Sequence, residues 1–169
     1  AGDNKAGGDR AAGMLKELGF AEVARLSKNK ARIAWGIKTG TATKTVTTAL
    51  EEGALHKVAE TGFFSQPGLF SWNRIDRGSE ILARHLPATL QGHGADFGCG
   101  YGYLSRHILN KCSGIESLAC IDADYRAVQT CTKNLKNFSV PIYSLWEDLT
   151  QPTKNLQKFD WIIMNPPFH

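Results

Sequence analysis

Apolar and polar positions along the chain divide into two regimes. From residue 94 onward, short apolar runs alternate with segments whose apolar residues recur every three or four positions. The runs 94–97, 118–121, 141–145 and 159–164 read as strands, and 103–112 and 125–135 as helices. In the first of these helices Leu104, Ile108 and Leu109 face inward; in the second Val128, Cys131 and Leu135 do. A helix over 79–86, stopped at Pro87, carries Ile81, Leu82, His85 and Leu86 on one face. Such alternation predicts an α/β domain with a doubly wound, mostly parallel, Rossmann-like sheet and right-handed crossovers.

The first part of the chain is less regular. Asp9 is placed to cap a short helix over 10–18 that ends at Gly19. Residues 20–26 and 31–37 read as two strands joined by a hairpin-like connection over 27–30. Residues 39–48 are threonine-rich and fit neither period, and 62–73 read as an ordered loop or interrupted strand. These features divide the chain into a basic segment, 1–45, that looks like the end of a preceding domain, and a second domain, 46–169. No internal repeat is visible.

Composition narrows the function classes. The net charge of +4 is concentrated at the front, where residues 1–50 hold nine Lys and Arg against four Asp and Glu. A basic front end can touch a phosphate backbone, though solvated lysines explain it equally well. No apolar run is long enough to span a bilayer, and no signal peptide is visible. Four cysteines without C-x-x-C spacing or paired histidines argue for reduced thiols, a cytoplasmic setting and no metal.

The chemistry-bearing residues gather at the carboxyl ends of the expected strands, where ligands sit in such sheets. Asp96-Phe97-Gly98-Cys99-Gly100-Tyr101-Gly102 is a D-x-G-x-G-x-G turn between strand and helix. Its spacing is not the dinucleotide fingerprint, because Tyr103 stands where that fingerprint has glycine. An acidic lead residue repels phosphate and suits a cationic amino-acid end. Asp122, after the next strand, can accept both hydroxyls of a ribose or cap the following helix, a role that Asp124 fits better. Asp148, after the third strand, can accept from an adenine amine or stand as an exposed loop carboxylate. Asn165-Pro166-Pro167-Phe168 closes the last strand. Two prolines stiffen it, offering the Asn165 amide and the Pro166 carbonyl as fixed acceptors beside an aromatic ring.

Together these residues resemble the class I S-adenosylmethionine-dependent methyltransferases. Within them the likeness is to enzymes that methylate guanine N2 in small-subunit ribosomal RNA. Pro67-Gly68-Leu69-Phe70-Ser71 followed by Asp76-Arg77-Gly78-Ser79 is its most discriminating part. The resemblance implies that Asp96, Gly98 and Gly100 flank the methionine end of S-adenosylmethionine, Asp122 its ribose and Asp148 its adenine. It implies that Phe70, Asp76 and Ser79 line the same pocket. Asn165 and the Pro166 carbonyl would hold the target amine, with Phe168 stacked on the base. The implied partner is ribosomal RNA or the ribosomal subunit. Amine methylation of DNA adenine or protein glutamine uses the same chemistry, and a non-catalytic RNA-binding fragment would keep the same motifs. Only four strand–turn units follow residue 94, whereas the class I sheet has seven strands, so the sequence reads as a fragment incomplete at its C-terminal end.

Overall fold

A computed structural model describes residues 2–3, 10–40, 42–151 and 158–166. The chain divides into two compact units, residues 1–54 and 55–169. The expected division at 45/46 falls inside a helix, so the observed one comes nine residues later.

The first unit begins with strand β1 (Gly2–Asp3) and helix α1 (Ala11–Glu17), which ends at Gly19 with φ +83°. The expected cap, Asp9, lies outside the described residues. Strands β2 (Phe20–Lys28) and β3 (Ala31–Lys38) form an antiparallel hairpin, and β1 pairs on the far edge of β3. The strands run longer than their apolar pattern, leaving only Asn29 and Lys30 as the turn. Both have positive φ, +50° and +61°, which the right-handed strand twist favours in two-residue hairpin turns. The threonine-rich stretch resolves as a capped helix, α2 (Lys44–Gly53), whose Thr43 hydroxyl accepts from the Val46 amide.

The second unit opens with a two-strand ladder, β4 (His56–Lys57) against β5 (Phe64–Ser65). Helix α3 (Arg77–His85) follows, capped by Asp76. Then come β6 (Gln91–Phe97), α4 (Tyr103–Lys111), β7 (Gly114–Asp122), α5 (Tyr125–Leu135), β8 (Ile142–Trp146) and β9 (Trp161–Met164). The last four strands form one all-parallel sheet in the order β8-β7-β6-β9. Its order reverses between β6 and β9, so the carboxyl ends of those strands flank a switch point where a crevice opens.

Side-chain alternation along β7 sorts the core. Leu118 and Cys120 face α4 and α5 together with Cys131 and Leu135, while Ala119 and Ile121 face the opposite side with Ala95. Phe97, Leu145, Leu149 and Phe159 pack against that opposite side. Helix α3 turns a different face inward than its large residues suggest. Ser79 and Ala83 are its buried positions, Leu82 and Leu86 pack beside them, and Ile81 and His85 are exposed. Small residues win because they let the helix lie close to its neighbours.

Candidate functional site

The glycine turn is built by the strand beside it. Gly98 and Cys99 both donate their amides to the Ile121 carbonyl at the end of β7, at 2.8 and 3.1 Å. Gly100 donates to Asp122 Oδ2 at 2.9 Å. Gly98, Gly100 and Gly102 have positive φ, for different reasons. At Gly102 a β-carbon would stand 2.8 Å from Cys131 Sγ, so packing forbids it. At Gly98 and Gly100 nothing lies within 4 Å of one, so these two leave open space for a ligand to reach the backbone.

Asp122 is the last residue of β7. Besides holding Gly100, it accepts from the Asp124 amide through Oδ1 at 2.9 Å. Asp124 is the helix cap, accepting from the Arg126 amide at 2.9 Å and paired with its guanidinium at 2.7 Å. The Arg126 hydrogen bonds hold the Asp124 carboxyl below the ordinary range. With capping assigned to Asp124, Asp122 is left facing the crevice.

That crevice is a cavity of about 480 Å³, within the usual size of small-molecule sites. It brings together residues expected from the sequence: Phe70, Gly98, Gly100, Asp122, Asp148, Asn165 and Pro166. Ala123, Glu147 and Met164, which the sequence did not single out, also line it. Asp148 accepts from the amide and hydroxyl of Thr150 at 2.9 and 2.7 Å, and these bonds keep its carboxyl below the usual range. Three carboxylates and no cation among the lining residues disfavour a phosphate ligand. They suit one rich in hydroxyls and amines or carrying positive charge.

Asp96 does not stand at this cavity. It lies in the body of β6, 1% exposed, and points to the helix face, where Oδ2 accepts from Ser105 Oγ at 2.6 Å. Its Oδ1 has no partner among the described residues. Burial, opposed by the Ser105 hydrogen bonds, pushes its pKa up to about 6. Asp96 thus lies two residues before Gly98 of the glycine turn, with its carboxyl turned to Ser105 and outside the cavity lining.

Asp76 and Ser79, expected to line the cofactor pocket, are not among the residues lining that cavity. They line a smaller recess that shares Phe70, Gly98, Gly100 and Asn165 with the cavity. The Asn165 Nδ2 donates to Asp76 Oδ2 at 3.0 Å and to Ser79 Oγ at 2.8 Å. Phe168 lies outside the described residues. Among the described residues no group of three or more His, Cys, Asp or Glu is arranged to hold a metal ion, and no helix is long and apolar enough to cross a membrane.

Residues 60–169 match the family model described as methyltransferase small domain. Among similar curated proteins is a ribosomal RNA small subunit methyltransferase C from Shewanella loihica, 40% identical over 104 residues. Another, of the same name from a Shewanella species, is 41% identical over 104 residues. These alignments cover 60% of this chain but only 29% and 28% of the relatives, so the matched stretch is less than a third of their length. Among solved structures, a T. thermophilus 16S rRNA N2 methyltransferase in complex with AdoMet and guanosine superposes with a TM-score of 0.71. That likeness covers 99% of this chain and 46% of the other at 24% identity, and it is one of fold.

Proposed function

This chain belongs to the methyltransferase small domain family, and on that premise we propose that it binds S-adenosylmethionine and methylates the exocyclic N2 amine of a guanine in ribosomal RNA. The observation that carries the reading is the meeting, in one cavity, of the Gly98–Gly100 cradle, the Asp122 and Asp148 carboxylates and the Asn165-Pro166 acceptors. The residues present fit the cofactor. Open glycines admit it to the backbone, Asp122 keeps lone pairs for the ribose hydroxyls, and the acidic lining suits its positive charge. When bound, it supplies an electrophilic methyl group.

The chain's own task is to prepare the amine. An exocyclic amine is a poor nucleophile, because its lone pair is delocalised into the ring. Asn165 Oδ1 and the Pro166 carbonyl accept hydrogen bonds from its two hydrogens and turn the lone pair out of the ring plane. The proton is released to solvent after transfer, so no strong base is required beforehand. Positioning and local electrostatics then supply most of the acceleration. The ribosomal RNA names of the relatives and the basic balance of residues 1–50 support the RNA substrate.

The test offers radiolabelled S-adenosylmethionine to this chain with deproteinised small-subunit RNA and, separately, the assembled subunit. Nucleoside analysis is expected to find label in N2-methylguanosine. Asn165→Ala is expected to lower turnover by about 100-fold or more while sparing cofactor affinity. Label in adenosine, in DNA or in protein glutamine would redirect the substrate assignment, and wild-type turnover in Asn165→Ala would remove the amine grip.

A further inference from the structure

The Asp76-Arg77-Gly78-Ser79 segment has a geometry that the cavity does not explain. The side chains of Asp76 and Ser79 both bond the carboxamide of Asn165, 89 and 86 residues further along the chain. We propose that Asp76 and Ser79 are positioning residues that lock the Asn165 carboxamide in one orientation, with Oδ1 presented to the substrate amine. The inference rests on the amine-grip reading above and adds to it the part of the molecule that sets the grip's polarity.

A terminal carboxamide rotates easily, and its two ends have opposite hydrogen-bonding sense. Turned the wrong way, Asn165 would offer N–H groups to an amine that is itself a donor, and the contact would be lost. Its Nδ2 has two hydrogens, and the structure provides two acceptors, Asp76 Oδ2 at 3.0 Å and Ser79 Oγ at 2.8 Å. The hydroxyl alone cannot set the orientation, because it donates as readily as it accepts. The carboxylate can. An ionised carboxylate only accepts, so reversing the amide would press its carbonyl oxygen against Asp76 Oδ2. With Nδ2 held, Oδ1 is the end left for the substrate.

The lock is itself anchored. Asp76 caps α3, and the same Oδ2 accepts from the Ser79 amide at 2.8 Å, at a helix end whose unpaired N–H groups favour negative charge. Capping alone accounts for Asp76 but not for Ser79 Oγ, which lies on the buried face of α3. Gly78 completes the arrangement. A β-carbon there would stand 3.0 Å from Asp76 Oδ2 and 3.4 Å from Asn165 Oδ1, so its absence leaves the bonded groups room. Asp76, Gly78 and Ser79 thus each have a physical task at Asn165.

Two variants test this with the fold preserved. Ser79→Ala removes one acceptor with a good helix former, and Asp76→Asn keeps a capping oxygen while removing the charge. The expected result is kcat down about tenfold in Ser79→Ala and about 100-fold in the double variant, with S-adenosylmethionine affinity within about twofold of the parent. Full turnover in the double variant, or a loss confined to cofactor affinity, would overturn the lock. Asn165→Ala separates the two ideas. If it retains full turnover, the amine grip itself fails; if it is inactive while the double variant turns over, only the lock fails. A second readout needs no turnover. The Asn165 side-chain N–H₂ signals of the unbound chain should exchange with solvent more slowly than those of exposed Asn110 and Asn137, and the double variant should abolish the difference. Equal exchange in the parent would overturn the proposal.

Discussion

Replacing Asp96 with asparagine should change how stability depends on pH, and the size of the change follows from where its carboxyl sits. The group is 1% exposed, holds a strong hydrogen bond from Ser105 and has a second oxygen with no partner among the described residues. Burial moves its pKa from 3.8 to about 6. The folded state therefore holds this proton more tightly than the unfolded state does. Its stabilising contribution is fully present below pH ~3.8, fades as pH rises and is gone above about 6. Two pKa units correspond to about 3 kcal/mol. Asparagine is neutral throughout, so its replacement of Asp96 removes that dependence. Any constant cost of the new amide shifts all values equally and leaves the slope untouched. Relative to the parent, Asp96→Asn should gain about 2.4 kcal/mol between pH 4 and pH 7, part of the contribution having already faded at pH 4. At a urea slope of about 2 kcal/mol/M, the difference between the two midpoints should change by about 1.2 M. The assay is urea unfolding at several pH values, followed through the methyl signals of Ile108 and Ile121 so that only the second unit is read. A midpoint difference that stays constant from pH 4 to 7 would refute the burial argument. A difference running the other way would mean that ionised Asp96 is stabilised by a partner the geometry does not contain.

Three further substitutions test the backbone geometry. Gly102→Ala should cost about 2–4 kcal/mol, because a strained φ of +89° adds to a clash with Cys131; Gly98→Ala, strained but open, should cost about 1–2 kcal/mol. Equal unfolding midpoints for the two would remove the packing part of that argument. Lys30→Gly, at φ +61° in the β2–β3 turn, should stabilise the hairpin by about 0.5–1 kcal/mol; unchanged amide exchange in β2 and β3 would contradict it.

Most of the second unit could be read from the chain because its local signals agree. Helix α5 has the expected bounds, Asp124 caps it as anticipated, and every parallel strand falls where an apolar run stands. What could not be read depended on distance or on small residues. The contact of Asp76 and Ser79 with Asn165 spans more than 80 residues and leaves no local periodicity. The buried face of α3 is set by Ser79 and Ala83, which a search for large apolar residues passes over.

Asp122 grips the Gly100 amide with one oxygen and the Asp124 amide with the other, while it faces the cavity. The acid and the cradle are therefore mechanically one part. A variant of Asp122 chosen to test the proposed ribose recognition would also release the glycine turn, and any lost affinity would mix the two causes. The same bond limits how the site can drift. A change at position 122 is tolerated only where the turn finds another anchor for position 100, so substitutions at these two positions should be strongly epistatic, twenty-two residues apart in sequence.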